Sequence, residues 1–303
     1  MQVYTHPACL AHETGPGHPE RPGRLNSVLR ALENAHPTID WQQAPRASRG
    51  QLLRVHSEQQ LEQVLEHPPV ELTLLDADTV LSPGSAEAAL HAAGAGIAAV
   101  NAVMTQRTER AFCAVRPPGH HATQNRAMGF CLFNNIAIAA CHAIDVYGLE
   151  RIAIADFDVH HGNGTQAIFE HEPRVLFASS HQWQLFPDSG ARSETGCGNI
   201  FNDPLPEGSG STVFRASWSE RLLPAIRAFK PQLLLISAGF DAHARDPLAG
   251  LKLEANDYYW ITRQLCEIAD IYCSGRIISM LEGGYDLVAL AESSVAHVDA
   301  LCI

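Results

Sequence analysis

The sequence has no excess of basic residues. Lys and Arg together number 21 against 33 Asp and Glu, a formal net charge of −12. Nucleic acid is bound through a basic face, so direct nucleic-acid binding is not expected. The balance is compatible with a cationic substrate such as a lysine side chain or a polyamine. No apolar run is longer than a strand, Leu233 to Ala238 being typical, so no membrane-spanning segment is expected. The N-terminus, Met-Gln-Val-Tyr-Thr-His-Pro, has no basic region followed by an apolar run, so no secretory signal is expected. The eight cysteines form no Cys-x-x-Cys pair, and with no export signal the expectation is reduced thiols in a cytoplasm. Internal repeats, low-complexity tracts and linkers are lacking too. Residues 1–303 are therefore expected to form one domain.

What is present is an alternation of two periodicities. Apolar spacing predicts helices at 20–35, 51–65, 84–104, 132–147, 165–171, 211–229, 255–271 and 287–303. Short β-branched runs predict strands at 3–4, 111–115, 151–155, 175–179, 232–238 and 276–281. Ser82-Pro83 reads as an N-cap followed by a first-turn proline. Residues 181–210 read as one long loop, the kind that is usually functional in a compact domain. Strands alternating with helices predict an α/β fold with a parallel sheet covered on both faces.

The stretch from Arg151 to Gln166 organises the chain. It begins as a buried strand and then turns polar at Asp156, Asp158, His160, His161 and Asn163. On an extended backbone Asp156, Asp158 and His160 would share one face. Carboxylates with an imidazole suit zinc, and three protein ligands with an open position suit a catalytic site. Active sites of parallel sheets lie at the carboxyl ends of the strands. Other predicted strands end the same way: His120 and His121, then Ser179, Ser180 and His181, then Asp241, then Tyr285. Asp241 offers the natural third ligand. His120 and His121 are suited to moving protons near neutral pH, with Asp156 available to hydrogen-bond one of them. Tyr285, on a Gly-Gly turn, could point its hydroxyl into a pocket as an oxyanion donor.

Five segments together resemble a known family: Arg116-Pro-Pro-Gly-His-His121; Gly129-Phe-Cys131 with Phe133-Asn134; Asp156-x-Asp158-x-His-His-Gly-Asn-Gly-Thr-Gln166; Ser237-Ala-Gly-Phe-Asp241 with Asp246-Pro-Leu; and Leu281-Glu-Gly-Gly-Tyr285. His18-Pro-Glu-Arg-Pro-x-Arg24 adds an N-terminal match. The family is that of the zinc-dependent histone deacetylases and acetylpolyamine amidohydrolases, in a class II-like bacterial form. The resemblance implies an arginase-like three-layer fold with a central eight-stranded parallel sheet. It implies Asp158, His160 and Asp241 as ligands of one Zn²⁺. It also implies His121 as general base and then acid, His120 as its partner braced by Asp156, and Tyr285 as oxyanion donor. Phe130 and Phe186 would line the channel, the Gly129 carbonyl would accept from the substrate amide, and Arg24 would sit near the cavity that handles acetate. Asp156, Asp158, His160, Ser179 and Ser180 match the family's potassium positions. Asn163 stands where class I members carry Asp. The implied substrate is an acetylated lysine or other acetylated amine. Acetylpolyamine hydrolysis is the alternative, weakened by Leu248, which occupies the position of the polyamine-selective glutamate.

Overall fold

The computed structural model describes residues 1–66 and 69–303. In chain order its strands are β1 (Gln2–Thr5), β2 (Asp40–Gln43), β3 (Thr73–Leu74), β4 (Val80–Leu81), β5 (Arg110–Cys113), β6 (Ile152–Asp156), β7 (Val175–Gln182), β8 (Ile200–Leu205), β9 (Leu233–Ala238) and β10 (Ile277–Leu281). Its α-helices are α1 (Pro22–Ala35), α2 (Arg49–Leu52), α3 (Glu58–Leu65), α4 (Ser85–Met104), α5 (Asn135–Tyr147), α6 (Asn163–Phe169), α7 (Ser211–Ser217), α8 (Leu223–Phe229), α9 (Ala255–Tyr272) and α10 (Leu287–Leu301).

Eight strands form one sheet in the order β2-β1-β5-β10-β9-β6-β7-β8, and every pairing is parallel. β3 and β4 make a separate antiparallel pair. The central strands β5, β6, β9 and β10 are buried at every residue, which is why they read as continuous apolar runs rather than alternating ones. The expected α/β architecture is thus observed. Besides the small β3–β4 pair, two strands of the main sheet escape the sequence reading, and both lie at its edges. β2 is Asp-Trp-Gln-Gln, and β8, inside the expected long loop, carries Asn202, Asp203 and Pro204. Proline in a sheet is confined to such edges.

Three helical expectations also change. The helix over 51–65 divides into α2 and α3, each begun by a serine cap, Ser48 and Ser57. The helix over 211–229 divides into α7 and α8 around a π turn, Trp218–Leu222. Ser82 does not cap α4; its Oγ accepts from Glu13 N at 3.0 Å, and the helix begins at Ser85. Among the described residues α4 alone is long and apolar enough to cross a membrane, contrary to the expectation that apolar runs are only strand-sized. Of its most apolar window 78% is buried inside the protein. Its small residues permit that burial. A Cβ on Gly94 would stand 1.8 Å from the Pro45 carbonyl oxygen, so no side chain fits there.

Because all eight strands run the same way, their carboxyl ends share one edge. The chain leaves β5, passes through α5 and enters β6, skipping the positions later filled by β9 and β10. That switch in strand order opens a crevice at the carboxyl edge, where open parallel sheets bind ligands.

Candidate active site

β6 stops at Asp156, and the chain then turns twice instead of running on. Asp158 N donates to Asp156 Oδ1 at 3.1 Å, and His160 N donates to Asp158 Oδ1 at 2.8 Å. Each carboxylate closes a local turn on the amide two residues ahead, a habit of short acidic side chains. This corrects the expectation that Asp156, Asp158 and His160 share one face of an extended strand. Asp156 is sent towards His120, while Asp158 and His160 are sent towards Asp241.

Asp158, His160 and Asp241 are buried and each brings a donor atom within 4.8 Å of the other two. His160 Nδ1 lies 3.2 Å from Asp158 Oδ1 and 3.2 Å from Asp241 Oδ2. The carboxylates are held by backbone amides: Gly283 N donates to Asp158 Oδ2 and Val159 N to Asp241 Oδ1, both at 2.9 Å. Burial alone would lower the pKa of His160, but its bonds to Asp158 and Asp241 outweigh burial and push it up to about 10. The point between these three side chains therefore favours a cation. Two carboxylates and one imidazole fit Zn²⁺ and leave a coordination position free.

The histidine pair sits beside this triad, with ring centroids 4.0 Å apart. His120 Nδ1 is 3.0 Å from Asp156 Oδ2. His121 Nδ1 is 2.8 Å from Asn163 Oδ1, while Asn163 Nδ2 lies against Met128 Sδ. An acceptor oxygen facing Nδ1 makes Nδ1 the protonated nitrogen of His121 and leaves Nε2 with the lone pair. Their electrostatics diverge. Burial disfavours charge on His120, but Asp158 and Asp156 overcome it and raise its pKa to about 10. Burial, then the positive charges of His120 and His160, hold His121 well below the ordinary imidazole value. The surroundings thus favour charge on one imidazole and disfavour it on its neighbour.

A channel of about 220 Å³ leads to these groups. It is lined by Pro19, Asp78, His121, Gly129, Phe130, His160, Leu185, Phe186, Leu248 and Tyr285. Phe186 meets His121 edge-on at 5.1 Å, and Phe130 meets Tyr285 edge-on at 5.9 Å. Burial lifts the Tyr285 phenol well above its ordinary pKa, against the opposing charge of Arg24, so it stays a neutral O–H donor. Among the described residues its hydroxyl makes no hydrogen bond. The channel thus joins an apolar tube to a triad suited to a metal ion, an imidazole on which charge is disfavoured and a phenol.

A sequence profile of the histone deacetylase domain matches residues 18–301. The chain belongs to the histone deacetylase family. It is 39% identical over 293 residues to a probable deacetylase of Archaeoglobus fulgidus, covering 94% of this chain and 81% of that one. It is 37% identical over 300 residues to a histone deacetylase-like amidohydrolase of Pseudomonas aeruginosa, covering 97% and 78%. The crystal structure of the HDA15 HD domain superposes with a TM-score of 0.93 at 34% identity, covering 99% of this chain and 87% of that one. The fold is therefore the arginase-like deacetylase fold, and the chain is a deacetylase of the hydrolase class.

Set against the resemblance, Gly129, Phe130, Phe186 and Leu248 line the deacetylase channel. Arg24 does not. It is fully buried and donates from Nε to Gly284 O, from a terminal nitrogen to Glu282 O, and to Glu20 Oε1. Its guanidinium lies 4.8 Å from the Tyr285 ring, so it braces the turn that presents Tyr285. Ser179 lies opposite Asp156 in the β6–β7 register, with its Oγ on His181 Nδ1 at 2.9 Å. Ser180 Oγ accepts from Trp218 Nε1.

Several supports have no role in the sequence reading. Glu282 is fully buried and accepts from Gly119 N at 2.7 Å and His120 N at 3.2 Å, fixing the backbone of the histidine pair. Asp246 accepts from Tyr285 N at 2.8 Å and Leu248 N at 3.0 Å, tying Tyr285 to the opposite part of the channel wall. Glu20 is buried between Arg24 and Arg116. All three stand inside the quoted motifs, which was the available signal.

Proposed function

We propose that this deacetylase removes acetyl groups from acetyl-lysine side chains of proteins or peptides. The observation that carries the substrate class is the channel wall at Leu248. A polyamine extends beyond its acetylated end to further cationic amines, which would need a carboxylate partner, and position 248 offers an alkyl group instead. One observation favours acetylpolyamines as the second reading: Asp78 brings a carboxylate to the same lining, in a chain of net charge −12.

In this proposal Asp158, His160 and Asp241 hold one Zn²⁺, which when bound supplies a water of lowered pKa and polarises the acyl carbonyl. Phe130 and Phe186 enclose the alkyl chain, and the Gly129 carbonyl accepts from the substrate amide. The neutral Nε2 of His121 takes a proton from the attacking water and returns it to the departing amine. Protonated His120, anchored on Asp156, holds positive charge next to the reacting groups. Tyr285 donates its phenol hydrogen to the developing oxyanion. The proposal includes K⁺ among Asp156, Asp158, His160, Ser179 and Ser180, supported by the register that sets Ser179 beside Asp156. The test compares kcat/KM for acetyl-lysine peptides, acetylpolyamines and longer acyl-lysines. Preference for acetyl-lysine peptides is expected; preference for acetylpolyamines would select the second reading.

A further inference from the structure

His161 and Gln166 belong to the organising stretch yet take no part in the chemistry above. Both are buried, and their hydrogen bonds have a polarity that can be worked out. Gln166 Nε2 lies 2.6 Å from Glu194 Oε2, and a carboxylate only accepts, so the Gln166 amide nitrogen points there. Its Oε1 therefore faces His161 Nε2 at 2.9 Å and Asn202 Nδ2 at 2.7 Å. His161 Nε2 must carry the hydrogen, which leaves Nδ1 to accept from Ser189 Oγ at 2.8 Å. At the other end, the Glu194 carboxylate accepts from Gly190 N at 3.1 Å and Ala191 N at 2.9 Å. The relay starts at Ser189 and returns to Gly190 and Ala191, so it is a closed ring.

A second histidine holds the same point from the side. His181 Nε2 donates to Gly190 O at 3.0 Å. Gly190 has φ +90°, and a Cβ there would lie 2.5 Å from His181 Nε2 and 2.7 Å from His161 Cδ2. Directly upstream is the turn Leu185–Asp188, closed by Asp188 N on Leu185 O at 2.8 Å. That turn carries Phe186, which is 41% exposed and so gains little anchorage from packing. The ring begins one residue after the turn ends.

We propose that His161 is a positioning residue: through the Ser189–His161–Gln166–Glu194 ring it fixes the turn bearing Phe186, and so the width and depth of the channel that encloses the substrate's alkyl chain. This rests on the deacetylase reading of the channel. His161 directly follows His160, so one dipeptide sets both the metal site and the wall facing it.

The test uses Ser189→Ala and Glu194→Ala, each removing one link outside the catalytic groups, with Ser189→Thr restoring the hydroxyl. Hydrogen–deuterium exchange should rise across residues 183–191 in both alanine variants and not elsewhere. KM for an acetyl-lysine peptide should rise roughly 3- to 10-fold, the range of one buried hydrogen bond, with kcat retained. The preference for the acetyl-lysine peptide over its acetyl-ornithine counterpart, one methylene shorter in the enclosed alkyl chain, should fall, and Ser189→Thr should recover the wild-type profile. Unaltered exchange would overturn the ring as the anchor. Raised exchange with unchanged KM and unchanged alkyl-chain preference would overturn the positioning role. A wild-type enzyme that turns over no acyl-lysine would overturn the deacetylase reading and the selectivity claim with it, while the exchange data would still report on the ring.

Discussion

Gly239→Ala adds one carbon beside the metal triad without altering a ligand. Gly239 follows β9, and a Cβ built on it would stand 2.0 Å from Asp158 Oδ2. Real Cβ contacts essentially never fall below 3.0 Å, so the carboxylate must retreat by about 1 Å. Asp158 cannot retreat without loss, because Oδ2 accepts from Gly283 N at 2.9 Å and Oδ1 from His160 N at 2.8 Å. Metal–ligand distances tolerate only about 0.2 Å. Removing a partner behind a ligand costs roughly 10- to 100-fold in metal affinity, and moving the ligand itself should reach the top of that range. Zinc affinity of Gly239→Ala should therefore fall about 100-fold, measured by competition with a chromophoric chelator, and turnover should fall with zinc content. Gly50→Ala is the control, since a Cβ there meets nothing within 4 Å. Wild-type zinc affinity and turnover in Gly239→Ala would refute the placement of Asp158 in the ligand set.

Tyr285→Phe removes the proposed oxyanion hydrogen bond and should lower kcat roughly 10²- to 10³-fold in zinc-loaded enzyme; retained kcat would exclude the role. Leu248→Glu brings a carboxylate into the channel lining and should shift the kcat/KM ratio about tenfold towards acetylpolyamines over acetyl-lysine peptides, read from the same substrate panel. Glu20→Gln tests a buried ion cluster. Burial would raise the pKa of Glu20, but Arg116 and Arg24 outweigh it and lower the value from 4.5 to about 2. A depressed carboxylate stabilises the fold above its unfolded pKa and loses that contribution as pH falls through the folded value. The variant should be less stable by roughly 3 kcal/mol at pH 7 in urea unfolding, with the difference shrinking between pH 4.5 and pH 2. A constant difference across that window would show that charge on Glu20 is not the cause.

The groups given chemistry in the proposed function are legible in the sequence because they break a local pattern. His121, Asp158, His160, Asp241 and Tyr285 are polar residues that interrupt or follow apolar runs at strand ends, and a parallel sheet brings those ends to one edge. The groups that hold them are not legible in the same way, because they act on backbone amides that carry no residue label. Glu282 fixes Gly119, which is 163 residues away in sequence, and Asp246 fixes Tyr285 across 39 residues. The separation of Asp156 from Asp158 has the same origin: alternation along a strand puts them on one face, and only the two amide-to-carboxylate turns after β6 part them. Edge strands β2 and β8 escape for a related reason, since Asp40-Trp-Gln-Gln becomes a strand by pairing with β1 and the polar β8 by pairing with β7. His161 follows this logic one step further. In the sequence it is one more polar residue after β6, and only the direction of each hydrogen bond from Ser189 to Glu194 turns it into a support for the opposite wall.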